Sequence, residues 1–485
     1  MSSVPRLRGF ILALAAVSAL RAQDPGQAER LFLSGERAYA IKSYQEALDA
    51  WNQAVKAAPK SPFAAQALLS LARHQVQVAH QPEAALPYLD KIKAEHLKTP
   101  WAAEALLLRG RILAARRRPQ DLKEAMGEWN LALDLFPGHP CAQDVRLELG
   151  NGLRLLGQWG RALQDYLEAV RLDPASAAAR SAQLEAAETL DLMGDTTGCL
   201  RMLQFLRDRA PQSAEAREAL WRIQVRVKQR FLKPPLRSLG PWPNGRTKWL
   251  KTPTLLATGP GGELFLYQDD LDQAFLLKDG QLSPAGPPTR SAKALVATPG
   301  GQVWLVTSRQ GVVREGAPPI AGTPPLQAPT GAALDPWGNL WLSDAKATAL
   351  LVVPPDGPVR TVPLAGGAGV AGLPGGGVVA ASDAARALVF LDPQGRTRIT
   401  VPYGKDLPAP FKNVLALAAD PLGHVAALVE GEFEGVALWG PDGALLRSAT
   451  FKSLGLSGKF RAIALDRQGG LILADRSNDQ LIRLD

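Results

Sequence analysis

Only two cysteines occur in 485 residues, Cys141 and Cys199. That excludes a disulfide-stapled scaffold and a cysteine-built zinc site. Of the five histidines, only His424 falls in the second half of the chain, at a turn where an exposed side chain is expected. No Ser/His/Asp set, phosphate-cradling glycine loop or Cys/His cluster is present, so no catalytic residue, cofactor or metal is assigned. Beyond the amino terminus no apolar run is long enough for a membrane helix. Charge of one sign is also scarce. The net +9 falls to +6 once Arg6, Arg8 and Arg21 are removed with the first 22 residues. The remainder is spread over both halves without interleaved aromatics, which describes a solvated surface and not a nucleic-acid footprint.

The first 22 residues have the form of a secretory signal. Arg6 and Arg8 precede the apolar core Phe10–Leu20, and small residues lead to Ala22-Gln23. No cysteine follows that core, so lipid anchoring is not indicated. The expectation is an exported chain, periplasmic or secreted, cleaved near Ala22 and not membrane-spanning.

The carboxyl-terminal stretch Arg461–Asp485 holds three short apolar runs separated by Asp/Gly/Asn turns, the pattern of antiparallel strands. Its first turn, a Gly followed two residues later by Leu or Val, recurs from Gly262 through Gly301, Gly338, Gly376, Gly423 and Gly469. The steps are 39, 37, 38, 47 and 46 residues. A period near forty with several strands per unit marks a β-propeller, here of six blades. Asp335-Pro336-Trp337-Gly338 and Asp420-Pro421-Leu422-Gly423 have type I turn chemistry. The sixth blade ends after its third strand, so its missing strand is expected before the first blade, around Leu236–Leu250. The runs Leu465-Asp466…Gly469…Leu471…Asp475 and Leu334-Asp335…Gly338…Leu340…Asp344 resemble the repeats of NHL and gluconolactonase-like six-bladed propellers. That resemblance covers about half the chain.

The first half is rich in good helix formers and carries a second repeat. Gly35, Ala47, Trp51, Ala54 and Pro59 recur as Gly150, Ala162, Tyr166, Ala169 and Pro174 at equal spacing. Partial copies stand at Ala125–Pro137 and Cys199–Pro211, and a weaker unit lies at Ser61–Thr99. These positions resemble tetratricopeptide repeats. The expected fold is therefore multidomain, α then all-β. A signal peptide at 1–22 precedes a tetratricopeptide-like α-solenoid at 23–231, of about five helix pairs plus a capping helix. A proline-rich linker at 232–253 supplies the ring-closing strand, and a six-bladed β-propeller fills 254–485.

The solenoid resemblance implies a groove for a protein or peptide partner, lined by Glu29, Phe32, Glu36, Tyr39, Asp144, Asn151, Arg154, Glu188 and Asp191. Phe32 and Tyr39 also suit packing against a neighbouring unit. Asn151 matches the chaperone-tail subclass, but Leu147 stands where that subclass needs Lys, so no carboxylate clamp is expected. Arg116-Arg117-Arg118-Pro119 suits a solvated helix end. The propeller loops after each second strand offer Asp270, Arg309, Asp344, Lys346, Asp383, Arg386, Glu432, Asp475 and Arg476. On one reading these bind a second partner. On the other each leading Asp caps its own turn. Asp269, Asp270 and Asp272 together would suit Ca²⁺. Propeller enzymes of the resembled kind place a metal at the channel mouth, whereas the innermost strands here are uniformly apolar. The leading expectation is an exported, non-catalytic interaction scaffold. The alternatives are a propeller hydrolase or lyase targeted by the array, and a cell-wall or sugar-binding propeller.

Overall fold

The computed structural model describes residues 24–242, 249–259, 261–316, 320, 325–355 and 357–485. The expected signal segment and Pro243 of the linker lie outside these. The helical half begins with α1 (Pro25–Ala40), capped by the Asp24 carboxylate on the Gln27 N–H and opened by proline. It continues as α2 (Tyr44–Ala57), α3 (Pro62–Gln77), α4 (Leu86–Glu95), α5 (Trp101–Ala115), α6 (Pro119–Leu135), α7 (Ala142–Leu155), α8 (Trp159–Leu172), α9 (Ala177–Leu192), α10 (Thr196–Arg209) and α11 (Ala214–Arg226). Ser61 and Ser213 cap α3 and α11 through their hydroxyls. A π-helical turn, Val227–Leu232, follows α11.

The repeat spacing has a steric cause. A Cβ on Gly35 would collide with the Trp51 ring, and one on Gly150 with Tyr166. Glycine lets each helix pair close until the aromatic ring seals it. Gly110 faces Trp129 in the same way. This partner escapes the sequence spacing because Arg116–Arg118 lengthens the connection. The insertion is not simply solvated: Arg116 pairs with Glu83 at 2.5 Å and Arg118 with Asp121 at 2.6 Å.

Contacts divide the chain into two compact units. The first runs up to Gly152 and takes in Gln164–Ala182. The second takes Leu153–Leu163 and everything from Gln183 on. The division thus falls within the helical half and not at the proline-rich linker. Within the second unit the end of the helical region is bound to the propeller. Trp221 donates its indole N–H to the Arg467 carbonyl. The Arg467 guanidinium lies 4.8 Å from the Trp221 ring centre and pairs with Glu218 at 2.5 Å. Gln229 donates to the Gly469 carbonyl at 2.6 Å and accepts from Arg447 at 3.1 Å. Lys228 pairs with Asp485.

The propeller opens with β1 (Ser238–Trp242), followed by four-stranded sheets. These are β2–β5 (Pro253–Thr258, Leu264–Gln268, Gln273–Lys278, Gln281–Pro284), β9–β12 (Pro329–Leu334, Leu340–Asp344, Ala349–Val353, Arg360–Pro363), β13–β16 (Gly367–Gly372, Val378–Ser382, Ala387–Leu391, Thr397–Pro402) and β17–β20 (Phe411–Ala419, Val425–Gly431, Gly435–Trp439, Leu445–Thr450). The second blade shows three strands among the described residues, β6–β8 (Ala294–Ala297, Val303–Thr307, Gly311–Val313). The sixth is β21–β23 (Phe460–Leu465, Leu471–Asp475, Gln480–Leu484), with β1 antiparallel to β23 as its outer strand. Ser238 faces Leu484, and Arg237 and Asp485 exchange backbone hydrogen bonds of 2.9 and 3.0 Å. The ring is therefore closed by chain from before the first blade. Trp242 and Trp249 pack on the core between the first and sixth blades.

The recurring Asp of the hairpin turns explains the repeat. Asp335 accepts the Trp337 and Asn339 N–H groups and the Trp341 indole N–H, all at 2.9 Å. Asp466 accepts from Gln468, Gly470 and Arg483. Asp420 does the same with Leu422 and His424, and also bonds the His424 ring at 2.7 Å. His424 is therefore 1% exposed, contrary to the expectation of a surface histidine. In each case one carboxylate fixes the turn and also bonds a side chain: Trp341 on the next strand, His424 in the turn itself, or Arg483 on β23. That combination places Asp five residues ahead of the second strand's start.

Candidate functional site

The innermost strands β2, β6, β9, β13, β17 and β21 surround a channel whose middle is lined by small aliphatic side chains. A hard cation needs several oxygen ligands. Among the described residues no three His, Cys, Asp or Glu side chains come together as a metal-holding group. Asp269 turns toward Thr254 (3.3 Å) and Arg476 (3.5 Å), and Asp272 toward the Tyr267 hydroxyl (3.3 Å). The Asp269, Asp270 and Asp272 carboxylates are thus not gathered as a Ca²⁺ site would require.

The two mouths of the channel differ. The mouth on the side of the Asp-anchored hairpins opens into a cavity of about 330 Å³ lined by Glu188, Trp221 and Arg222 as well as by propeller turns. The other mouth lies on the face where the chain enters each blade, with a cavity of about 240 Å³. The loops after the second strands border this face, and the sequence-derived rim residues divide there into two groups. Asp344 is buried. It accepts the Gln327 N–H (2.7 Å), Ala328 N–H (3.0 Å) and Lys346 N–H (2.9 Å), tying its loop to the strand that enters the blade. Asp475 is buried in the same role, accepting from Lys459 and Ser477. Burial alone would raise its pKa, but hydrogen bonds from Asn478, Ser477 and Gln480 hold it below the usual carboxylate range. Asp383 accepts the Tyr403 hydroxyl at 2.9 Å, and burial raises its pKa. Arg386 donates to the Phe411 carbonyl at 2.7 Å. These four positions hold loops in place and do not present free side chains. Asp270, Arg309, Lys346, Glu432 and Arg476 remain exposed. Lys293 and Arg461 also stand at this mouth, and the sequence reading passed over both. They sit at entries to strands that are otherwise apolar, and a basic residue at that register was the available signal.

On the helices, the residues expected to line a groove are largely engaged with neighbouring helices. Phe32 is buried against Phe63, and Tyr39 packs 5.2 Å from Trp51. Both contacts fit the packing reading of these two residues. In the first unit Glu36 accepts from Ser70 at 3.1 Å, and Asp144 pairs with Arg111 at 3.0 Å. Asn151 accepts the Tyr166 hydroxyl at 2.9 Å. In the second unit Arg154 pairs with Glu185 at 3.0 Å. Glu188 and Asp191 hold the fully buried Arg226 at 2.7 and 2.8 Å. Burial works against the Asp191 anion, yet Arg226 and Arg230 keep its pKa below the usual value. Asp191 is therefore held in a buried ion-pair network. Glu29 stays exposed on α1, and Glu36 is also exposed.

No family model and no curated protein matches the chain. Among solved structures, a putative gluconolactonase is 18% identical with a TM-score of 0.39, covering 52% of this chain and 97% of that one. A streptogramin B lyase is 12% identical with a TM-score of 0.37, covering 52% and 97%. PilW, a type IV pilus biogenesis factor, is 18% identical with a TM-score of 0.33, covering 44% and 93%. Their names assign no activity to this chain. The chain is a tetratricopeptide-like helical array followed by a six-bladed β-propeller, and no helix among the described residues is long and apolar enough to cross a membrane.

Proposed function

We propose that this is an exported, non-catalytic scaffold whose helical array binds a protein or peptide partner, with the open face of the propeller as a second binding surface. The observation that carries the reading is the outer face of α1. Glu29, Leu33 and Glu36 stand about one helical turn apart and are exposed, Leu33 to 41%, while Ala28, Phe32 and Gly35 on the other face are buried. An exposed apolar side chain with Glu29 and Glu36, and Arg30 and Arg37, one turn to either side suits a partner segment with an apolar anchor and charged neighbours of both signs. The basic and apolar pattern of residues 1–22 supports export.

The test places a photo-crosslinking residue at position 33 of the full chain in its native cell. A discrete crosslinked protein is expected, with the yield falling when Glu29 and Glu36 are changed to Lys. No crosslinked species, or a yield indifferent to those changes, would refute the proposed surface. Amino-terminal sequencing of the mature protein should begin near Gln23, and an intact Met1 would refute export by this route.

A further inference from the structure

We propose that the open mouth of the propeller channel is a binding site for a small dianion, a phosphate or a dicarboxylate. Four charged side chains line the cavity of about 240 Å³ at this mouth: Lys293, Arg461, Arg476 and Asp269. Three are cationic and one anionic. Among the described residues Asp269 is the only carboxylate in the lining, and it is engaged by Arg476 at 3.5 Å and the Thr254 hydroxyl at 3.3 Å. Among the described residues Lys293 and Arg461 have no ion-pair partner, and both are exposed toward solvent. This contrasts with the helical half, where arginine after arginine is paired within the fold.

The topology brings the free cations together. Lys293 immediately precedes β6 and Arg461 lies in β21. Both strands contact β2, the innermost strand of the first blade. Thr254 of β2 therefore stands between the two cations around the ring, and Arg476 reaches the same sector through Asp269. Leu255, Leu295 and Ile463 also line the cavity, together with the backbone of the inner strands. A concave site with an excess of positive charge raises the local concentration of an incoming anion. Arg461 can fork onto two oxygens of a phosphate or carboxylate, and Lys293 supplies a mobile point charge for a second anionic group. Two unpaired cations match a ligand of charge −2. The inner edges of β2, β6 and β21 face the channel with backbone groups that no inner strand covers, and these offer further donors to the ligand. This inference does not depend on the helical array's partner.

The full mature chain is titrated by calorimetry at low ionic strength with inorganic phosphate, succinate and succinamide, the last being the uncharged analogue of succinate. At least one dianion should bind with a Kd below about 10 mM, and succinamide should not bind. The preferred dianion identifies the ligand class. Because Lys293 and Arg461 are exposed, the Lys293→Gln/Arg461→Gln double variant should keep its thermal stability and weaken binding about tenfold or more. Lys405→Gln, outside the cavity lining, should leave binding unchanged. No binding of either dianion, equal binding of succinamide, or a double variant that binds like the parent would overturn the proposal.

Discussion

Replacing Arg226 with Met tests how the helical region is joined to the propeller. The Arg226 side chain is fully buried, and its guanidinium pairs with Glu188 at 2.7 Å and Asp191 at 2.8 Å. Removing one partner of a buried ion pair costs about 3–5 kcal/mol, because the remaining charge stays desolvated. Here the carboxylates are not left bare. Glu188 keeps Arg222 at 3.0 Å, and Asp191 keeps the Thr196 hydroxyl at 2.8 Å and Arg230 at 3.8 Å. The loss should therefore lie at the lower end, about 3 kcal/mol. The helix that carries Arg226 is joined to the sixth blade through Glu218, Trp221 and the following Gln229. Calorimetry should thus show the propeller's own transition moving down, by roughly 2–4 °C per kcal/mol, while the amino-terminal repeats melt as before. A variant whose propeller transition is unmoved would refute the coupling, and so would separate melting of α11 from the propeller.

The complementary change is Trp51→Ala. Trp51 is 1% exposed in the first unit, and its loss should lower that unit's transition by about 3–5 kcal/mol without moving the propeller's; a common shift of both transitions would count against it. Ending the chain at Asp466 removes β22, β23 and the pairing with β1, so the truncated protein should lose its cooperative propeller transition; retention of the full melting temperature would show that closure is dispensable. Asp191, with its pKa held below the usual carboxylate value, stabilises the second unit at pH above that ordinary value, and the contribution is lost as pH falls through the depressed one. Urea midpoints between about pH 5 and pH 2 should therefore fall less steeply in Asp191→Asn than in the parent, and equal slopes would contradict the assignment. Burial pushes the Cys199 thiol up to about 12 and that of Cys141 up to about 11. Both should resist alkylation at neutral pH until denaturant is added, and rapid labelling of Cys199 in the native protein would be inconsistent with its burial.

The two repeats were legible in the sequence because each rests on residues with a local steric or hydrogen-bonding duty. Gly35 and Gly150 make room for an aromatic ring, and Asp335, Asp420 and Asp466 organise their turns. The closing strand could be anticipated because the sixth blade ran out of chain. Other features depend on contacts that sequence spacing does not carry. The seam between the helical end and the propeller is built from pairs such as Gln229 with Gly469 and Glu218 with Arg467, far apart in the chain. His424 looked like a surface turn residue, and its burial follows from the ring's bond to Asp420. Phe32, Tyr39 and Asp191 are engaged by neighbouring side chains, which family position alone does not reveal: it says where a side chain starts and not whether a neighbouring helix takes it up. Lys293 and Arg461 went unnoticed because each sits beside an apolar strand, and only the closed ring brings both to one mouth.

The central claim is that the propeller works by binding and not by metal-dependent turnover. The most direct test is elemental analysis of the purified mature protein before and after chelation, paired with an assay for lactone hydrolysis and lyase activity. The account predicts no stoichiometric divalent ion and no turnover that depends on one. One tightly held divalent ion per chain, whose removal abolishes a hydrolase or lyase activity, would contradict it and make the apolar channel wall an insufficient guide to the chemistry at its mouth.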